Sequence, residues 1–596
     1  MKKFLKIFLY LLDKEDKKGF IGFIFILMLG GFISLVGIAT IIPLINILLS
    51  PDKVQHLPLL GSLPYFTALM LASGALIFAF WLRTIFGMLI IKKQNLFLFG
   101  LTAKIRNKIF ERYLKAPYNY HVSKNSSSLI SVLSTDVERV SGEIFGSTGA
   151  ILNEAITSSV LFIAILFIAP TLIISVIGGV LITSKIYMAI FRRKAIAFGE
   201  QKTNSYEKLT QCVAQSLGSM KETKLYHKEI AFIALVNRFS RLIAVSSSFQ
   251  MMFGQGSRYI IESTAITIIL IVLLVYSRIG YTGEQIFVLL SVFGVASVQL
   301  LPSINRIVQA IASMRGAFPS FLKVYDEIRN AALATSQSFM HEHNLNSIKF
   351  NKQIQLQNIF FTYNDKLVLN GISIQINKGE KVALVGESGA GKTTIADIIL
   401  GLLLPKSGTL CVDGLKLTQD NIIKWQALLS YIPQMIYLYD SDIRQNIAFG
   451  VPEDKIDNAH VHICLAAASL TAFVSALPQG IYTRVGENGI QLSGGQRQRI
   501  GIARALYRNP SVLVMDEATA ALDNKTEAEV TQAITVAGKD RTIITIAHRI
   551  STIMHYDKIY YLQHGAIVAK GNFQELMNTS TEFRKFAETS AQLENM

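Results

Sequence analysis

Residues 386–393 read G-E-S-G-A-G-K-T and fit the phosphate-loop pattern G-x-x-x-x-G-K-[ST]. No other stretch constrains the fold as much. The loop works only between a buried strand and a helix. Its glycines let backbone N–H groups approach phosphate, and the helix N-terminus faces the anion. The run V-A-L-V at 382–385 reads as that strand, and from Thr394 onward the chain reads as helix. Alternating apolar and polar residues over 354–361 predict a further strand. Apolar runs at 512–516, ending in Asp516, and at 542–546 predict two more. The C-terminal part is therefore expected to be an α/β domain.

The N-terminal part is chemically different. With 596 residues the chain is too long for one core. Hydrophobic residues make up 51% of it, and they concentrate before Arg278. Spanning hydrocarbon takes roughly 20 apolar residues. The stretches 19–49, 65–91, 142–169, 171–190, 248–277 and 284 to about 311 meet that need. Pro43 is expected to kink the outer end of the first. The expected architecture is multidomain. An all-α six-helix transmembrane domain occupies 1–330, a polar linker 331–346, and an α/β phosphate-loop domain 347–596.

A net charge of +17 would suit a nucleic-acid binder. The positions of the charges argue otherwise. Lys92, Lys93, Lys104, Arg106, Lys108, Arg112, Lys115, Lys124 and Arg139 fall in one basic stretch. Arg192, Arg193, Lys194, Lys202, Lys208, Lys221, Lys224 and Lys228 fall in a second. By the positive-inside rule both stretches and both termini lie in the cytoplasm, with the short loops near Lys53, Pro170 and Arg278 outside. An inner (plasma) membrane location follows, and no nucleic-acid partner is expected. The N-terminal run M-K-K-F-L-K-I-F is broken by Asp13, Lys14, Glu15 and Asp16. It reads as an amphipathic helix on the inner membrane surface, not a signal peptide. Cys212, Cys411 and Cys464 are scattered and suggest neither a disulfide framework nor a zinc site.

About a hundred residues after the phosphate loop, 492–496 read L-S-G-G-Q, and Glu517 directly follows the acidic strand end Asp516. With these motifs in this order the C-terminal domain resembles the ATP-binding cassette of ABC transporters. The membrane domain resembles that of exporter-type (type IV) half-transporters. The resemblance implies ATP and Mg²⁺ as ligands and a second copy of the chain as partner. It implies that Gly386, Glu387, Ser388, Gly389, Ala390, Gly391, Lys392, Thr393 and Thr394 cradle the phosphates, and that Tyr363 stacks on adenine. Thr393, Gln434 and Asp516 would hold the metal; Glu517 would be the general base, assisted by Gln434 and His548. Ser493, Gly494, Gly495 and Gln496 would grip ATP bound by the opposite cassette, with Asp523 at the same interface. Asn446 and Gly450 follow the exporter pattern, and 483–487 (T-R-V-G-E) resembles the exporter X-loop. The segments 117–124 and 221–229 match coupling helices.

The segments L-L-D-K-E-D-K at 11–17, I-I-P-L-I at 41–45 and L-L-P-S-I-N-R at 300–306 resemble lipid-linked oligosaccharide flippases. They imply export or flipping of an amphipathic, lipid-like substrate, with membrane lipid as surroundings. A lipid A, drug or peptide exporter is the alternative. Arg83, Arg258 and Arg306 lie roughly 28–33 Å inward from the outer ends of their spans at 1.5 Å per residue. They are candidates for gripping an anionic head group. Two ordinary roles compete: snorkelling to the interface, and pairing of Arg258 with Glu262 one turn on.

Overall fold

The computed structural model describes residues 2–11, 13–39, 64–166, 170–336, 348–363, 366–516, 541–547 and 549–595. Pro43 and the loop around Lys53 lie outside them, as do Glu517, Asp523 and His548. The chain divides into two compact units, Met1–Ala116 with His121–Ala334, and Pro117–Tyr120 with Thr335–Met596.

Among the described residues the first unit holds six long helices. They are Lys14–Ala39, Tyr65–Lys115, the continuous stretch 126–166, Pro170–Gly218, Glu229–Ile279 and Gly283–Ser336. Three segments among the described residues, Tyr65–Lys115, Ile173–Gly218 and Glu229–Ile279, are long and apolar enough to cross a membrane. A helix of 51 residues, such as Tyr65–Lys115, extends to roughly 75 Å. That is more than twice the hydrocarbon thickness. The apolar residues and the basic stretch after them thus share one rod. Short helices, Tyr118–Val122 and Met220–Leu225, join the long ones. Gly283–Ser336 runs into the expected linker, whose remainder lies outside the described residues.

The first helix, Lys2–Leu11, forms where amphipathicity predicts it. Its apolar face meets protein: Ile7, Phe8 and Leu11 are buried. The Phe8 ring lies 5.6 Å from Phe20 and 5.1 Å from Phe145. Asp16 and Asp13, which break the apolar run, bind Lys104 at 2.7 Å and Lys108 at 2.6 Å.

Helix 126–166 contains two π-helical stretches, Val132–Asp136 and Val140–Gly146. Between them Arg139 is buried with its donors satisfied. Nη1 donates to Thr203 at 2.8 Å and Ser320 at 2.9 Å, Nη2 to the Gly316 carbonyl at 3.0 Å, and Nε to Glu143 at 3.2 Å. Three helices meet there, and they meet closely. A Cβ on Gly199 would lie 2.3 Å from the Gly316 oxygen. Nearby, Lys323 binds Glu207 at 2.7 Å and Asp136 at 3.5 Å. Burial raises the Asp136 carboxyl above the usual range, against the opposing pull of Ser320, Lys323 and Arg139.

Among the described residues the second unit contains two sheets. The strands are β1 (Gln353–Tyr363), β2 (Lys366–Asn377), β3 (Lys381–Gly386), β4 (Ser407–Val412) and β5 (Leu415–Lys416). They continue with β6 (Leu429–Ile432), β7 (Val512–Asp516), β8 (Thr542–Ile546), β9 (Lys558–Gln563) and β10 (Ala566–Gly571). The antiparallel sheet runs β2-β1-β4-β5; the larger one runs β10-β9-β3-β8-β7-β6. In the larger sheet β9, β3, β8, β7 and β6 are parallel and β10 is an antiparallel edge. Its central strands carry unbroken apolar runs because both faces are covered. Every residue of β8 is buried.

Candidate nucleotide site

Parallel register puts the ends of the central strands on one edge. Leu384 of β3 pairs with Ile546 of β8, Ile546 with Asp516 of β7, and Met515 of β7 with Ile432 of β6. The phosphate loop, Asp516 and the segment leading to Gln434 therefore leave the sheet at the same carboxyl edge. Ligands of open α/β sheets bind at such an edge.

Local geometry fits a polyphosphate. Gly386 has φ +146°, and a Cβ there would lie 2.2 Å from the Leu562 carbonyl oxygen on β9. Gly391 has φ +97°, and its Cβ would meet Leu369 of β2 at 2.6 Å. Only glycine lets the loop pass this close to both neighbours. The helix Lys392–Ile399 starts directly after, with Gly391 as its N-cap. Lys392 is buried, and Nζ donates to the Gly386 carbonyl at 2.7 Å and the Glu387 carbonyl at 2.9 Å. Tyr363 ends β1, its ring 4.8 Å from that of buried Phe361.

Thr393 and Gln434 are exposed, and Asp516 is half-buried at the end of β7. Their hydroxyl, amide and carboxylate oxygens are the donor type a hard divalent cation takes. Two neighbours escaped the sequence reading. The Tyr431 hydroxyl lies 3.5 Å from Asp516 Oδ2. The Asp397 carboxyl, on the phosphate-loop helix, is pushed up to about 6 by burial first and the Asp516 charge second. An acidic residue one turn after the loop lysine was the available signal.

The L-S-G-G-Q segment opens the helix Gly494–Tyr507. Ser493 is the N-cap in a reciprocal box: its Oγ accepts from Gln496 N–H at 3.2 Å, and Gln496 Oε1 accepts from Ser493 N–H at 2.8 Å. The first-turn N–H groups present positive potential. Arg497 braces the approach by donating to the carbonyls of Gly489 and Leu492. Asn446 is fully buried, and its amide donates to Tyr439, Ser441 and Asp442. Arg504 ties the signature helix to it through the Asn446 carbonyl at 2.8 Å. The backbone at Arg484, in the 483–487 segment, forms an isolated antiparallel bridge with that at Asp442.

In the membrane unit, Arg258 binds Glu262 on its own helix at 2.6 Å, both side chains being well exposed. Arg306 reaches a different helix, binding Glu154 at 2.6 Å. Arg83 lies on Tyr65–Lys115. Sequence reasoning passed over Glu154. Its signal was a carboxylate inside an apolar stretch, which is costly without a partner.

Residues 369–520 match the family model described as ABC transporter, and residues 20–300 the one described as ABC transporter transmembrane region. The heterocyst differentiation ATP-binding protein HepA of a Nostoc species is 31% identical over 495 residues, covering 82% of this chain and 79% of that protein. The chain belongs to the ABC transporter family. An ATP-dependent lipid A-core flippase of Cupriavidus metallidurans is 29% identical, covering 80% of each chain. Among solved structures, a bacterial Atm1-family ABC exporter with ATP bound superposes with a TM-score of 0.78 at 23% identity. That match covers 97% of this chain and 99% of the other, and it shows that the fold is an exporter's. This ABC transporter is a membrane protein that couples a transmembrane domain to an ATP-hydrolysing cassette.

Proposed function

We propose that this ABC transporter flips or exports an anionic, lipid-linked amphiphile from the cytoplasmic side of the inner membrane as a homodimer. Both termini are cytoplasmic in this reading. In each cassette Tyr363 stacks on adenine, residues 386–394 hold the phosphates, and Thr393, Gln434 and Asp516 hold Mg²⁺. Glu517 polarises the attacking water, with Gln434 and His548 beside the γ-phosphate. Ser493, Gly494, Gly495 and Gln496 close on ATP held by the second copy, and Asp523 lies at that interface. Closed twofold pairing completes both sites.

The observation that carries the substrate reading is Arg306. Its side chain remains 56% exposed while paired with a Glu154 side chain that is 10% exposed. An arginine presented this way on the sixth apolar stretch suits a phosphate or diphosphate. Arg258 and Arg83 are secondary candidates. Lipid A is the second reading, because several relatives are named lipid A-core flippase.

The test is ligand-stimulated ATPase in phosphatidylethanolamine–phosphatidylcholine proteoliposomes. Geranylgeranyl diphosphate should stimulate, geranylgeraniol should not, and Arg306→Ala should raise the half-saturating concentration. Stimulation by lipid A alone would favour the second reading. Equal stimulation by the alcohol would overturn the anionic one.

A further inference from the structure

Arg306 and Glu154 form a two-point contact between separate helices of the membrane unit. Nε lies 2.6 Å from Glu154 Oε1, and Nη2 donates to Oε2 at 3.2 Å. Nη1 makes no hydrogen bond among the described residues. Glu154 is buried, whereas Arg306 is exposed. The helix that carries Arg306 also holds buried polar groups without partners. Ser303 and Asn305 are buried, and Ser303 Oγ and Asn305 Oδ1 have no hydrogen-bond partner. Ser158, one turn beyond Glu154, also buries an unpartnered hydroxyl. Pro302 interrupts the helix ladder one turn before Arg306.

The pairing contrasts with Arg258 and Glu262. That pair sits on one helix face with Arg258 exposed and Glu262 partly exposed, a geometry of small energetic consequence. The Arg306 pair crosses between helices, and its carboxylate is withdrawn from solvent. Without Arg306, Glu154 would be a buried carboxylate lacking its partner. Together the two are neutral, and the arginine side chain stays more than half exposed.

We infer that Glu154 is an internal counter-anion that sets the affinity of Arg306 for the substrate's anionic group. This rests on the reading of Arg306 as a head-group contact. Glu154 holds Nε and Nη2 and so positions the guanidinium with Nη1 toward the ligand. Its negative charge simultaneously opposes the incoming anion. A transporter must bind its cargo firmly enough to load it and loosely enough to release it. A fixed carboxylate behind the arginine achieves both without a conformational change at the arginine itself. Glu154 is in this sense a positioning residue.

Substitution separates position from charge. Glu154→Gln keeps an acceptor of the same size and removes the charge. Glu154→Asp keeps the charge on a shorter arm. Each variant is assayed in the same proteoliposomes, with geranylgeranyl diphosphate as probe and each variant's own unstimulated ATPase as reference. Glu154→Gln should lower the half-saturating concentration on the order of tenfold, as expected for removing one charge near the ligand in a partly wet site. Its maximal stimulated rate should fall as release slows. Glu154→Asp should stay near the wild type in both quantities. A purely structural carboxylate would make both variants weaker, with raised half-saturation, and that result overturns the inference. An unchanged half-saturation in Glu154→Gln, alongside a raised one in Arg306→Ala, also overturns it while leaving the arginine reading intact. No effect of Arg306→Ala overturns the arginine reading and the inference with it.

Discussion

Lys392 Nζ donates to the Gly386 carbonyl at 2.7 Å, so the loop lysine is held by the loop it serves. Its burial makes the ammonium dependent on close acceptors. Phosphate oxygens would take over that role from the carbonyls. Lys392→Met should therefore cost roughly 10²–10³-fold in the ATP hydrolysis rate, the scale of one lost charge-stabilising donor. Phosphate release by the purified protein checks this, and a rate within about twofold of wild type would remove Lys392 from the chemistry.

Glu517 follows Asp516 in sequence, and Asp516 ends β7 at the sheet's carboxyl edge. Glu517→Gln should retain ATP and hydrolyse it roughly 10²–10⁴-fold more slowly. Equilibrium binding and single-turnover hydrolysis separate the two effects. Weakened binding with unchanged single-turnover rate would assign Glu517 to binding instead.

Asp397 gives the cassette a pH dependence. Its folded-state carboxyl is raised to about 6, by burial and then by Asp516, from the ordinary value of 3.8. Between roughly pH 4 and 6 the folded state binds more protons than the unfolded chain, so this group's contribution to stability falls as pH rises through that window. Above it the contribution is constant. Asp397→Asn should remove the slope. The variant should gain thermal stability relative to wild type as pH rises from about 4 to about 6, and then hold a constant lead. Unfolding midpoints without nucleotide or Mg²⁺ measure this. A constant difference throughout the window would show that Asp397 does not titrate there.

Arg139 binds Thr203, Ser320, the Gly316 carbonyl and Glu143 from a buried position. Arg139→Met would remove the donor to the Gly316 carbonyl and to Glu143, while Thr203 and Ser320 keep their bond to each other at 3.0 Å. Leaving a buried polar group without its hydrogen-bond partner costs about 1–3 kcal/mol. The detergent-solubilised protein should melt roughly 5 °C lower or more. An unchanged midpoint would show that packing at Gly199 and Gly316 suffices without the arginine.

The cassette was legible because its motifs carry their own geometry. A phosphate loop demands the strand and helix that β3 and Lys392–Ile399 supply. Alternation over 354–361 found β1, although the strand continues through Tyr363. The antiparallel edge of β10 and the short β5 carry no comparable pattern. In the membrane unit, apolar length predicted the helices. Nothing local to Arg139 announces Thr203, Ser320 and Gly316, which lie 64, 181 and 177 residues away. The pairing of Arg306 with Glu154 is non-local in the same way, over 152 residues. The Arg258–Glu262 pair was readable because helical spacing alone brings i and i+4 together.

The most direct test of the central claim is translocation itself. Proteoliposomes carrying the wild type and a fluorescent polyprenyl diphosphate lipid are treated with ATP and Mg²⁺, and exposure of the lipid to an impermeant quencher is followed in time. The account predicts ATP-dependent movement of this lipid by the wild type, none by Glu517→Gln, and none of an uncharged polyprenol analogue by either protein. Movement at the same rate without ATP, or equal movement of the uncharged analogue, would contradict it.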